Sequence, residues 1–295
     1  MGIHIITDTS CDLALDYAKA NTSKLTVLGM PIELDGVGYI DDLGETFTHD
    51  FFYKQMREGT FPSTSQINPM TYEEAYTKAI NKGDDIICIG LSSGLSNTIN
   101  SAILAMHNIK EQYPDAKIKV VDTLAGSIGL GMLVYLTIEK INEGIEYDIL
   151  AQWIEDSKLK INHWFAIDDL DHLKKGGRIP PAMAIIGTAL KVKPILTVRH
   201  NGKLEAYTKI RGRNKSINFL VSKLEQHIGQ AVPKVVMIGH ADCIEDAEKL
   251  ARAILGKYKP QEIIITKLSQ TIATHVGVGM LAVSFLGEHV REDIV

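Results

Sequence analysis

Two periods of apolar and polar residues alternate along the chain. Short apolar runs at residues 3–7, 86–90 and 118–122 read as buried strands. Between and after them, residues 13–20, 48–57, 71–83, 98–110 and 128–142 carry apolar positions at helical spacing, and a further helix begins near Asp148. Asp12 and Thr48 are placed to cap helices, Thr71-Tyr72-Glu73-Glu74 forms a capping box, and residues 26–34 read as extended around Pro31. This order predicts an α/β fold with an N-terminal, doubly wound and mostly parallel sheet.

A second unit starts near residue 161. A strand at 164–167 leads into a short helix at 168–178 with an acidic start, a basic end and terminating glycines. Pro180 and Pro181 open an apolar helix at 182–190, and extended segments follow at 194–199 and 204–210. A helix at 214–228, a strand at 235–239, a helix at 244–255 and strands at 262–267 and 280–286 complete a mixed α/β unit. The expected division is therefore an N-terminal domain, 1–160, and a C-terminal domain, 161–295. No Pro- or Gly-rich linker separates them, so they should pack together with a cleft between.

Composition supports a folded chain: 295 residues with 45% hydrophobic content can bury a sizeable core. The longest apolar runs, 182–190 and 280–286, are about half or less of the ~20 residues that span a bilayer. No secretory pattern opens the chain, so a cytoplasmic setting is expected. Cys11, Cys88 and Cys243 are widely spaced, which argues against a disulfide framework or a structural zinc site, and no metal or other cofactor is expected. The net charge of -5 is unevenly spread. Residues 170–215 hold eleven basic and two acidic residues, a net +9 that leaves -14 elsewhere. Such a block suits an acidic partner, a phosphorylated ligand, a transient contact with an anionic membrane, or merely a solvated face. Nucleic acid fits poorly, because Tyr207 is the only aromatic residue among these charges.

The strand-to-helix junction Gly90-Leu91-Ser92-Ser93-Gly94-Leu95-Ser96-Asn97-Thr98 gathers hydroxyls and helix-opening N–H groups. Those N–H groups lack internal partners and lie at the positive end of the helix dipole, an arrangement suited to a carboxylate or phosphate. The same residues match G-x-S-x-G, the nucleophile-elbow pattern, in strand-turn-helix context. A serine hydrolase would then use Ser92 as nucleophile, His275 as base and Asp168 or Asp169 as acid. A plain capped turn, with Ser96 or Asn97 as the cap, is the third reading.

Three further constellations accompany the junction. Pro62-Ser63-Thr64-Ser65-Gln66-Ile67-Asn68-Pro69 reads as a polar, constrained loop that could line a ligand site or form an Asx or Ser/Thr turn leading into the next helix. Thr274-His275-Val276-Gly277-Val278-Gly279 places a histidine ahead of two glycines that allow close backbone approach. Asp8-Thr9-Ser10-Cys11-Asp12 follows the first strand at the edge where parallel sheets bind ligands, with Asp12 as helix cap and Asp8 as a loop tie.

Taken in order, these pieces resemble the DegV family, the fatty-acid-binding subunits of bacterial fatty acid kinase. The resemblance runs through Thr7-Asp8-Thr9-Ser10-Cys11-Asp12-Leu13, Thr64-Ser65-Gln66 with Asn68-Pro69, and Ser92-Ser93-Gly94-Leu95-Ser96. It continues in Asp122-Thr123 with Ser127 and Gly129, and in Asp169-Leu170 with Leu173-Lys174-Lys175-Gly176-Gly177-Arg178. Lys193-Pro194-Ile195-Leu196 and Thr274-His275 with Gly277 and Gly279 close the series, which covers essentially the whole chain.

The resemblance implies two α/β domains with a long-chain fatty acid in a tunnel at their junction. Its carboxylate would be held by Thr64, Ser93 and His275, supported by Ser65, Ser92, Gly94, Ser96, Asn97, Thr274, Gly277 and Gly279. Chemistry would belong to a separate ATP-dependent kinase subunit that forms an acyl phosphate for phospholipid synthesis, with Arg178 in the contact surface. This chain departs from the family pattern at Asn97 and Val278, where glycine and proline are usual. Burial of about fourteen methylenes contributes on the order of 11 kcal/mol, so tail contacts should dominate affinity and headgroup contacts should fix position. The apolar stretch holding Met183, Ile186 and Leu190 is expected to line part of the tail pocket or to pack as plain core. A regulator that binds another lipid or acidic effector would suit the same features.

Overall fold

The computed structural model describes residues 2–180, 192–228 and 232–291. In chain order the first strands are β1 (Ile3–Asp8), β2 (Leu25–Leu28), β3 (Pro31–Leu34), β4 (Val37–Ile40), β5 (Ser63–Thr64), β6 (Asp85–Gly90) and β7 (Ile118–Asp122). Then follow β8 (Ile161–Ala166), β9 (Val192–Val198), β10 (Leu204–Arg211), β11 (Val235–His240), β12 (Glu262–Lys267) and β13 (Leu281–Leu286). The helices are α1 (Leu15–Ala20), α2 (His49–Arg57), α3 (Pro69–Asn81), α4 (Thr98–Gln112) and α5 (Ile128–Asn142). After these come α6 (Tyr147–Lys158), α7 (Asp171–Lys175), α8 (Arg213–His227), α9 (Ile244–Lys257) and α10 (Gln270–Val276).

β2, β1, β6 and β7 lie side by side in that order and run parallel, the arrangement that continuous apolar strands joined by helices produce. A second sheet of six strands, ordered β10-β9-β8-β13-β11-β12, is mixed: only the β11–β12 pair is parallel. The protein thus has the α/β architecture expected, with one parallel and one mixed sheet. A small antiparallel sheet, β4-β3-β5, stands beside the first.

Helix α5 joins the two large sheets. Its sequence is apolar almost all round, Ile128 to Val134 are buried without a break, and it packs against β1 and β6 as well as β8, β11 and β13. Gly131 lets the Cys11 carbonyl lie against the helix, where any side chain would collide with it. One continuous core consequently runs from Ile5 and Ile87 through Leu133 to Phe165 and Met280. No described helix is long and apolar enough to cross a membrane.

Several expectations are corrected. Residues 26–34 are extended as expected, though divided between strands of different sheets, but Asp12 does not cap α1: it adopts a left-handed backbone (φ 53°) that closes the short helical turn Thr9–Cys11. Asn68, followed by Pro69 at the first helical position, caps α3 in place of the Thr71 box. The stretch holding Met183, Ile186 and Leu190 lies outside the described residues.

Candidate functional site

Where the two large sheets meet, a cavity of about 260 Å³ opens between α10, the β6–α4 junction and the six-stranded sheet. Its apolar wall includes Met30, Leu91, Phe165, Ile272, Val276 and Met280, and its polar groups gather at Thr64, Ser65, Ser96, Asn97, Arg178 and His275. An apolar interior with a few converging polar side chains suits an amphipathic ligand.

Each polar residue arrives by a separate local device. Thr64 is the end of β5, fixed by pairing with Ile32 of β3 and by the Ser65 N–H donating to the Pro31 carbonyl (3.1 Å). The Ser63-Thr64 pair is therefore strand, while Asn68 further on accepts from the Thr71 N–H and so makes the Asx-type entry into α3. His275 sits in the last turn of α10, which Ser269 caps by accepting from the Ile272 N–H and which Gly277 terminates at φ 77°. Across the junction Thr64 Oγ1 and His275 Nε2 are 2.8 Å apart, a hydrogen bond spanning 211 positions of sequence. Burial, then the Arg178 guanidinium and His172, push the His275 pKa down to about 3, so the ring is neutral at physiological pH.

The serine junction folds as a tight turn in which the Leu95 and Ser96 N–H groups both bond to the Ser92 carbonyl. Ser96 lines the cavity beside Leu91, Leu95 and Asn97, and accepts from the Thr98 N–H at 3.2 Å, which leaves its own proton available. Ser93, expected at the headgroup, is instead exposed and outside the cavity lining, with its N–H donated to Asp122 Oδ1. Ser92 is fully buried, donating to the Gly202 carbonyl (2.8 Å) and accepting from the Gly94 N–H (3.0 Å). Gly202 adopts φ 76°, and a side chain there would collide with Ser92 Oγ.

The hydrolase arrangement is not assembled. The Ser92 hydroxyl is spent on the β9–β10 turn, His275 is bonded to Thr64, and Asp168 pairs with Lys193 at 2.7 Å. Gly94 approaches the Gly202 backbone, Thr274 Oγ1 donates back to the Gln270 carbonyl, and Gly279 lies against Asp168, so these three support the site without lining it. Gly277 likewise leaves room for the His172 ring, whose Nδ1–H donates to the Thr274 carbonyl at 3.1 Å. Above this pair Phe61 stacks on His172 (ring centroids 4.6 Å apart), with Lys175 Nζ 3.0 Å from the Phe61 ring centre.

Arg178 is half-buried and faces two spaces at once. Its Nε–H donates to the Leu95 carbonyl at 3.0 Å, and it borders both the apolar cavity and an open groove carrying Lys174, Arg199 and Lys203. Sequence reasoning missed α10 and Asp41 behind it, and gave Asp12 a different helix to cap. Asp41, fully buried, accepts from the Thr271 N–H (2.8 Å) and hydroxyl (2.6 Å), while Asp12 accepts from the Ser269 N–H (2.7 Å). Asp12 and Asp41 thus anchor the first turn of the helix that delivers His275. Among the described residues no cluster of His, Cys, Asp and Glu is arranged to hold a metal ion.

Fold and site define a class: an α/β protein with a parallel and a mixed sheet, whose apolar cavity opens at a hydroxyl–imidazole pair. The chain belongs to the DegV family, whose model, described as "Uncharacterised protein, DegV family", matches residues 2–288. A DegV domain-containing protein of Clostridium perfringens is 40% identical over 284 residues, covering 96% of this chain and 97% of its own. A DegV lipid-binding protein from Thermotoga maritima superimposes with a TM-score of 0.87 at 26% identity, covering 99% of this chain and 100% of its own. A fatty-acid-binding DegV protein from Thermus thermophilus gives 0.83 at 28% identity, covering 97% and 100%.

Proposed function

We propose that the protein binds a long-chain fatty acid, with the acyl tail in the cavity and the carboxylate at Thr64, His275 and Ser96. The observation that carries this reading is the Thr64–His275 pair at the polar end of an otherwise apolar cavity. Ser96 takes the place first expected for Ser93, since its hydroxyl borders the cavity. The relatives from Thermotoga maritima and Thermus thermophilus, described respectively as lipid-binding and fatty-acid-binding, support the ligand class. Native mass spectrometry of the purified protein, followed by organic extraction, tests it. One bound fatty acid per chain is the expected result; an empty cavity that stays empty with added hexadecanoate refutes it.

The carboxylate is presented to a separate kinase subunit that phosphorylates it. Arg178, bordering both the cavity and the basic groove, is the residue that would meet the incoming phosphoryl group or the partner's surface. Arg178→Ala should retain the bound acid and lower acyl-phosphate formation at least about tenfold with a matching kinase, because a charged hydrogen-bond donor is lost. Equal loss of both activities would mean that the arginine serves the cavity itself through its bond to Leu95.

A further inference from the structure

The Gly-Gly-Arg turn after α7 touches the site at a second point besides Arg178. A Cβ placed on Gly176 would run into His275 Nδ1 and would stand 3.2 Å from Cε1. Gly176 itself has φ -71°, so its backbone does not require glycine; the sharpest conflict is with the histidine ring, while the His172 carbonyl oxygen would stand 3.2 Å from the same Cβ. Behind that contact His275 Nδ1 is sealed from solvent and has no hydrogen-bond partner among the described residues. The adjacent Gly176 carbonyl accepts from the Arg178 guanidinium.

A neutral imidazole carries its proton on one nitrogen only. A proton on Nδ1 would leave a buried N–H without an acceptor, which costs more than leaving a lone pair unused. We infer that Gly176 is a positioning residue that seats His275 as its Nε2–H tautomer, and so makes Thr64 a hydrogen-bond donor to the ligand. In this tautomer the Nε2–H donates to Thr64 Oγ1 across 2.8 Å, and the Thr64 proton turns outward to a carboxylate. The opposite tautomer would take the Thr64 proton for itself and present only oxygen lone pairs to an anion. The glycine thereby sets the polarity of the headgroup site from the far side of the ring.

This inference rests on the fatty-acid reading, and its test separates the two. Long-range proton–nitrogen spectra of ¹⁵N-labelled protein, with His275 assigned from its absence in His275→Asn, should show a protonated Nε2 and a bare Nδ1. Gly176→Ala should weaken hexadecanoate binding by about tenfold or more, yet leave hexadecanol, which lacks the charge, unaffected. In a His275→Ala background the same substitution should cost nothing further. An Nδ1–H tautomer, or additive losses in the double variant, would overturn the inference while leaving acid binding intact. If Gly176→Ala does not fold, the wild-type spectrum still decides. A wild-type protein that takes up neither ligand would refute the fatty-acid reading instead.

Discussion

Asp12→Ala is expected to destabilise the protein by about 3–5 kcal/mol, since one buried and one part-buried donor lose their acceptor at about 1–3 kcal/mol each and the new residue must hold a left-handed backbone. The donors are the Ser269 N–H (2.7 Å) and the Ser127 hydroxyl (2.5 Å), and the Asp12 carbonyl additionally accepts from Thr266 Oγ1 (2.8 Å). These three partners begin α10, begin α5 and lie in β12, so a single residue of the first turn ties two helices that border the cavity to the edge strand of the mixed sheet. Ser127 itself has φ 56°, a backbone that favours glycine, and its bond to Asp12 holds it there. Urea midpoints give the measurement. A loss below about 1 kcal/mol, the ordinary worth of one net hydrogen bond, would show that the junction does not depend on this carboxyl.

Asp12→Asn separates shape from charge, since asparagine tolerates the left-handed backbone. Burial pushes the Asp12 carboxyl up to about 7 in the folded protein, against about 3.9 for an unfolded chain. A raised folded pKa means that folding takes up a proton. The stability this contributes is complete below about pH 4 and is lost as pH rises through about 7. Asparagine does not titrate, and the other ionisable groups, including Asp41, are common to both proteins. The stability of wild type relative to Asp12→Asn should therefore fall between pH 5 and pH 8. An unchanged difference would place the Asp12 titration outside that window.

What could be read from sequence followed the local character of each signal. Helix α5 was delimited at both ends because its apolar run is long and Gly144 closes it; β7 and β12 were equally plain. Helix α10 was hidden. It has only seven residues, three of them threonine or isoleucine, and its first turn is held by Asp12 and Asp41 from distant parts of the chain. The Thr64 and His275 pairing was legible only through family resemblance, since no local pattern brings residues 211 apart together. The choice between Ser93 and Ser96 depended on the turn that bonds Leu95 and Ser96 back to Ser92, which spacing alone does not reveal. The cavity wall was the least visible part, because Phe165 and Met280 read merely as strand-like core.

With a fatty acid in the cavity as proposed, Ile272→Glu is expected to abolish its retention while leaving the fold in place. Ile272 lies on the cavity-facing side of α10, one turn from His275, and is only half-buried, so in the empty protein a glutamate can remain hydrated. Entry of an acyl chain would strip that water from the carboxylate, at a cost of several kcal/mol, and would bring it toward a second negative charge at the headgroup. Affinity should consequently fall more than about 100-fold, whereas thermal unfolding should shift by only a few degrees. Ile272→Ala provides the graded comparison, because lost methyl contacts alone should weaken binding about tenfold. Native mass spectrometry together with hexadecanoate titration reads both variants. Full retention of the acid by Ile272→Glu would mean that the tail runs along another wall, and that the apolar face of α10 serves only to place His275.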